Sequence, residues 1–264
     1  MPHSLAINSQ TVMTHSSESA IKYLNWDSEF LGFKVGQIEI EDDSLLVKSL
    51  VSAQENNYHL IYLNRNSKNP LPLSLIDQFK GFLVDHKATF VTHLSKNHNL
   101  IRQGLTSSET RDIFNLLPNK QINALAIQAG LFSRFNLDPN FPKNKFRELY
   151  TTWIHNSLNG ELAKSVLVTI NPKNNLTGLV TVDLKNSTGQ IGLISVDKIC
   201  RGKGIGKTLV IAAHQKMIEL GAEEARVVTQ IENKNACNLY ESCGYHLESI
   251  VIRYHFWLNT KTTK

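Results

Sequence analysis

The stretch VDKICRGKGIGKTLV, residues 196–210, decides how this chain is read. Its centre, RGKGIGKT at 201–208, packs three glycines, two lysines and an arginine into eight positions. Two familiar phosphate loops fail on spacing. A Walker loop needs GxxxxGK[ST], yet five positions before Gly206 stands Arg201; a dinucleotide fingerprint needs GxGxxG, whereas Gly202, Gly204 and Gly206 read GxGxG. The physical content survives without either motif. Glycines let the backbone approach a ligand closely, and a helix starting just after them turns unpaired N–H groups toward an anion. That helix is predicted over 207–220: Leu209, Val210, Ala213, Met217 and Leu220 share one face, and Gly221 suits the position just past a helix end. The alternative is a glycine-rich turn with solvated lysines.

Working outward, three short strands precede the loop, at 165–170, 176–184 and 189–196, and the turn chemistry of NPKNN and KNSTG joins them as an antiparallel meander. After the helix come a strand at 225–231, a short helix in ENKNACNLYESCGY ended by Gly244, and a last strand alternating Ile250, Ile252, Tyr254, Phe256 and Leu258 on one face. Upstream, Ile122, Leu125, Ala126 and Ala129 share a helical face, with Pro118 at a suitable start. An irregular loop, LFSRFNLDPNFP, follows; then Phe146, Leu149, Tyr150, Trp153 and Ile154 recur at helical spacing as core. The N-terminal part reads as a small α/β unit. It has a strand within 33–40, a helix over 43–56, a strand at 59–64 and a helix–strand pair across 73–94. The expected organisation is a polar tail at 1–18, a small α/β domain at 19–105, a polar boundary within 95–112 and a second domain at 112–264.

Composition narrows the classes. The 264 residues are 41% hydrophobic, enough to bury a sizeable core, and 28 Lys and Arg stand against 23 Asp and Glu. That excess favours an anionic partner, but the absence of a basic run or a finger, RRM or zipper pattern argues against nucleic acid. The first 20 residues lack a signal-peptide pattern and no apolar run reaches membrane-spanning length, so a cytoplasmic protein without a membrane span is expected. Cys200, Cys237 and Cys243 form no CxxC pair, the histidines (His93 and His98 among them) show no ligand spacing, and no metal is expected.

VDKICRGKGIGKTLV followed by NKNACNLYESCGY resembles the GCN5-related N-acetyltransferase (GNAT) superfamily. Arg201, Gly204 and Gly206 match its [QR]xxGxG loop, and Asn233, Ala236, Leu239, Tyr240 and Gly244 match its NxxAxxLYxxxGF helix, with Tyr245 in place of Phe. The resemblance implies a GNAT fold: a central mixed, mostly antiparallel sheet flanked by helices. It implies acetyl-CoA or another short acyl-CoA as donor, its diphosphate held by Arg201, Gly202, Lys203, Gly204, Ile205, Gly206, Lys207 and Thr208. It also implies that the strand ending in Leu193, Ile194, Ser195 and Val196 splays from its neighbour to receive the pantetheine arm, with Asn233 and Asn238 contacting the cofactor. A helix N-cap is the alternative reading of Asn233. Tyr240 is the expected general acid for the leaving thiolate, and the Val196 N–H the donor to the thioester carbonyl. Asp183 is a candidate base, with His155 as a second candidate.

YLNWDSEFLGFKVGQIEI, SRF at 133–135 and YTTWIHNSL at 150–158 are similar to segments of bacterial dTDP-fucosamine acetyltransferases. This implies a nucleotide-linked amino sugar as acceptor, in surface polysaccharide synthesis. Arg134 would then meet the diphosphate, and Phe135, Phe141 or Trp153 the base or sugar. Two other readings stay open: an acetyltransferase acting on a protein or small amine, and a noncatalytic acyl-CoA-binding module. A homodimer through a strand edge is an expectation only.

Overall fold

A computed structural model describes residues 21–94, 109–114, 117 and 119–258. The expected polar tail, most of the expected boundary, His98 and Pro118 lie outside the described residues. The chain forms two compact units; the first takes residues 21–87, 137–140 and 250–258, the second the remainder of the described chain.

In the first unit, strand β1 (Ile21–Tyr23), helix α1 (Asn25–Leu31), β2 (Val35–Ile38), α2 (Asp43–Glu55), β3 (Leu60–Asn66) and α3 (Leu73–Gln78) follow one another. Sequence periodicity does not reveal β1 and α1, which are too short to show it. Helix α2 starts where Asp42 caps it, its carboxylate accepting from the Leu45 N–H at 2.8 Å. Strands β1 and β2 pair antiparallel and β2 and β3 parallel. The last strand, β10 (His246–Trp257), runs antiparallel to β3 from Val251↔Asn66 to Trp257↔Leu60. Ile252, Tyr254 and Phe256 of β10 pack with Ile38, Leu46, Leu50 and Ile61, so its predicted apolar face is core. Arg253 and His255, on the opposite face, are buried as well.

Strand β4 (Gly81–His93) spans both units. The second unit adds β5 (Glu109–Asp112), α4 (Lys120–Ala129), α5 (Arg134–Leu137), α6 (Lys143–Leu158), β6 (Ser165–Ile170), β7 (Leu176–Lys185), β8 (Thr188–Val196), α7 (Ile205–Glu219), β9 (Glu224–Gln230) and α8 (Lys234–Ser242). Its strands lie in the order β4-β9-β8-β7-β6-β5. Three contacts, β5–β6, β6–β7 and β7–β8, are antiparallel and β8–β9 is parallel, so the sheet is mixed and mostly antiparallel. The meander falls where alternation and turn residues predict it. Helix α7 begins at Ile205, two residues before the expected start, because buried Ile205 belongs to its inner face. Leu209, Val210, Ala213 and Met217 are fully buried in one cluster with the sheet residues Val180, Val182 and Val227, and Leu209, Val210 and Met217 each contribute roughly 1.5–3 kcal/mol by burial.

Candidate active site

Strands β8 and β9 part company. Their parallel pairing runs from Thr188↔Glu224 to Ile191↔Val227 and stops there, although β8 continues to Val196 and β9 to Gln230. On the other side β8 stays paired with β7 as far as Gly178↔Val196. The Asp197 N–H donates to the Thr177 carbonyl at 2.8 Å, which makes Gly178↔Val196 a pair of the non-hydrogen-bonded kind. By the alternation of an antiparallel ladder, the N–H groups of Ile194 and Val196 therefore point away from β7, toward the gap. A bulge between Val180 and Val182 accompanies the divergence, and there Thr181 Oγ1 accepts from the Leu193 N–H at 2.8 Å.

A cavity of about 460 Å³ opens at this gap. One wall is Ile194, Ser195 and Val196. A second is the glycine loop and first turn of α7: Arg201, Gly202, Gly204, Ile205, Gly206 and Lys207. Gly202 and Gly204 hold φ of +75° and +79°, the left-handed region, and a Cβ on either would meet nothing within 4 Å. Close packing therefore does not require these glycines; the left-handed turn does, and it leaves the space above the start of α7 open. Gly204 caps α7 with no side-chain hydrogen bond, so first-turn N–H groups face that space beside the Lys207 and Arg201 cations. A diphosphate fits this donor set.

A third wall comes from α8 and the residues before it: Asn233, Asn235, Ala236, Leu239 and Tyr240. Asn233 is the N-cap, its side-chain oxygen accepting from the Ala236 N–H at 3.3 Å, which leaves its amide N–H₂ as the free function. Tyr240 is only 2% exposed, packed against Phe90 and Tyr245 at ring distances of 5.9 and 5.8 Å. Burial, helped by neighbouring Cys237 and Cys243, pushes its phenol well above the ordinary tyrosine range. It therefore carries a proton at any neutral pH, as a general acid must.

The structure thus brings together Ile194, Ser195, Val196, Arg201, Gly202, Gly204, Ile205, Gly206, Lys207, Asn233 and Tyr240. Four other expected cofactor residues do not line the cavity. Leu193 turns inward, Thr208 is buried with its hydroxyl toward the Gly204 carbonyl, and Lys203 and Asn238 are exposed to solvent.

The expected acceptor residues are also absent from the cavity walls. Arg134 and Phe135 are buried on α5, the guanidinium 4.5 Å from the Phe135 ring, and Phe135 packs on Phe141 at 5.1 Å. Trp153 is buried on α6 beside Tyr150. These apolar side chains are core because α5 and α6 turn them inward. Asp183 pairs with Gln190 near the β7–β8 hairpin, six residues along β8 from Val196 and so roughly 20 Å from that strand end, and it does not line the cavity. His155 is engaged with Asn123 at 3.0 Å.

The remaining wall is Gln128 and Ala129, which sequence reasoning missed together with Cys200 and Asn235, and Leu131 and Phe132, the start of the LFSRFNLDPNFP loop that the sequence offers as an acceptor wall. Gln128 did leave a signal: it is a polar residue one helical turn after Leu125, beside an apolar stripe. Leu131 and Phe132 keep 45% and 42% of their surface exposed, which marks them as an apolar rim rather than core. Among the described residues no group of His, Cys, Asp and Glu is arranged to hold a metal ion, and no helix is long and apolar enough to cross a membrane.

Residues 132–245 match the model of the acetyltransferase (GNAT) family. Over 67 residues the chain is 39% identical to the N-alpha-acetyltransferase 30 of Saccharomyces cerevisiae, a match covering 25% of this chain and 38% of that protein. It thus spans little more than a third of that relative's length. Over 241 residues, 91% of this chain and 97% of the other, it is 23% identical to the dTDP-fucosamine acetyltransferase of Escherichia coli O6:H1. Its fold is similar to that of a functionally unknown conserved protein from Staphylococcus epidermidis, with a TM-score of 0.61, 11% identity, and coverage of 86% of this chain and 85% of that one.

Proposed function

We propose that this chain, whose residues 132–245 match the acetyltransferase (GNAT) family model, is an acyl-CoA-dependent N-acyltransferase that acylates the amine of a nucleotide-linked amino-dideoxy sugar in the cytoplasm. The observation that carries the acyltransferase reading is the gap beyond Ile191 and Val227, flanked by a helix N-terminus on one side and Tyr240 on the other. Bound acyl-CoA supplies the acyl group as a thioester. The backbone of Ile194 and Val196 receives an extended amide-bearing arm as an added strand would be received. First-turn N–H groups of α7 with Lys207 hold the diphosphate. As the amine nitrogen bonds to the acyl carbon and the carbon–sulfur bond breaks, a backbone N–H of β8 donates to the thioester oxygen, Tyr240 passes its proton to the departing sulfur, and the proton that the nitrogen loses passes to solvent.

The sugar assignment rests on the extent of the likeness: 241 residues, including the first unit, match the dTDP-fucosamine acetyltransferase, whereas the N-alpha-acetyltransferase match covers 67. The acceptor then enters along Gln128, Leu131 and Phe132, whose apolar rim suits the methyl-bearing face of a deoxy sugar. The test is thiol release from acetyl-CoA with dTDP-linked 3-amino and 4-amino sugars, peptides with free N-termini, and polyamines, with products weighed by mass spectrometry. An amide formed with one amino sugar alone is the expected result. Turnover of peptides but no sugar would overturn the acceptor assignment and keep the acyltransferase. Silence with every acceptor and with both acetyl and longer acyl donors would overturn both.

A further inference from the structure

Just past the end of its ladder with β9, β8 carries one residue more than β7. Val180 pairs with Ile194 and Val182 with Ile191, so Thr181 alone faces both Gly192 and Leu193. Thr181 Oγ1 accepts from the Leu193 N–H at 2.8 Å, and a Cβ on Gly192 would stand 2.7 Å from that same oxygen, so a side chain at 192 would push Thr181 off the bond. Gly192 stays partly exposed between buried Ile191 and Leu193. The same Cβ would lie 3.8 Å from Cζ2 and Nε1 of the buried Trp153 indole, so about one carbon's width separates the bare strand from helix α6. A Cβ on Gly189 would instead meet Met217 of α7, so α6 and α7 cover opposite faces of β8.

In the proposed function the diphosphate sits at the glycine loop beside Val196 and the arm runs back along Val196 and Ile194, so the acyl group comes level with Leu193 and Gly192. That place is closed on three sides. Ahead, the strands pair at Ile191↔Val227. On the α7 face stand Tyr240 and Phe90, ring centroids 5.9 Å apart and clustered with the buried residues of α7. On the α6 face stands Trp153. We propose that Trp153 sets the acyl length of the donor: seated over Gly192, its indole leaves room for an acetyl group and blocks a longer chain. The inference rests on the acyltransferase reading and specifies its donor. A chain longer than acetyl runs into the paired strands ahead, and the face that Gly192 leaves bare is filled by the indole.

The test measures Kd by calorimetry for CoA, acetyl-CoA and butanoyl-CoA with the wild type, Trp153→Ala and Trp153→Phe, and so needs no acceptor. The wild type is expected to bind butanoyl-CoA at least about tenfold more weakly than acetyl-CoA. Trp153→Ala is expected to bring the two within about threefold by tightening butanoyl-CoA, with the Kd for CoA itself within about twofold of the wild type. A merely structural role for the indole would lower the melting temperature, or weaken all three ligands alike, without moving that ratio. If Trp153→Ala does not fold, Trp153→Phe, which keeps a smaller ring in the core, decides on the same ratio, expected to fall at least about threefold. A wild type that binds both thioesters equally, or a ratio unchanged in the folded variants, overturns the proposal and leaves the acyltransferase standing. A wild type that binds none of the three overturns the acyl-CoA reading, and the proposal with it.

Discussion

At Tyr240, burial acts in the direction that the proposed general-acid role needs. Desolvation raises the phenol's pKa, so the folded protein holds that proton more tightly than the unfolded chain does. The resulting stabilisation is complete below the unfolded value near 10 and is lost as pH rises from there toward the folded value. Tyr245, buried behind it and joined to His214 at 2.9 Å, is raised in the same sense. Tyr240→Phe is expected to lower kcat about 100-fold with acetyl-CoA binding within about twofold, and to make the decline of stability above pH 10 shallower. Steady-state kinetics and urea titrations across pH check the two halves separately; a mutant with full kcat removes Tyr240 from the chemistry. Tyr240 was legible because it stands in a motif, NACNLYESCGY, with a glycine four residues on. Arg134, Phe135, Phe141 and Trp153, expected at the acceptor, are buried and do not line the cavity, and an aromatic residue in a loop or helix looks the same in sequence whether it faces a ligand or a neighbouring helix.

At the scale of elements, the glycine loop and the start of α7 together present the donors that the proposed function gives to the diphosphate. Gly204 sits at φ +79° with open space where a Cβ would be. Gly204→Ala therefore meets no clash in the free protein and costs about 1 kcal/mol of backbone strain. The added methyl stands in the space above the helix start. The expected outcome is a KM for acetyl-CoA raised at least about tenfold with a melting temperature lowered by only a few degrees. A parallel fall in melting temperature and activity, with KM unchanged, would place the glycine's role in folding alone. The loop and the helix start were readable in advance, since glycine spacing and a helical apolar stripe are both local. The parting of β8 from β9 was not readable from periodicity, because both strands keep their alternation on either side of the point where pairing ends.

At the scale of the whole molecule, the first unit is assembled from stretches far apart in the chain. Asp138 shows what joins them. Its carboxylate, fully buried, accepts from His255 Nδ1 at 2.6 Å, Trp257 Nε1 at 2.9 Å and the Asn140 N–H at 2.8 Å. Burial alone would raise its pKa, but the hydrogen bond and charge of His255, with Trp257 and Asn140, outweigh it and hold the carboxyl below the ordinary aspartate range. A lowered folded pKa contributes stability that is present above the unfolded value near 4 and lost as pH falls through the folded one. Asp138→Ala leaves buried donors without their acceptor and is expected to destabilise the protein by about 2–5 kcal/mol, with less loss on acidification than in the wild type; urea unfolding at two pH values checks both. A loss under about 0.5 kcal/mol would make the cluster incidental. Nothing local in LDPNF announces this role, since the partners lie 117 and 119 positions away. The sequence by itself determined the mixed α/β character, the order of meander, loop, helix, strand, helix and strand, and the turn residues that place a helix start at the glycines, because periodicity and backbone freedom are properties of neighbouring residues. Only the tertiary structure decided where β8 loses its partner, which aromatics face inward, and that Trp153 stands over Gly192, because each depends on which distant segment covers which face.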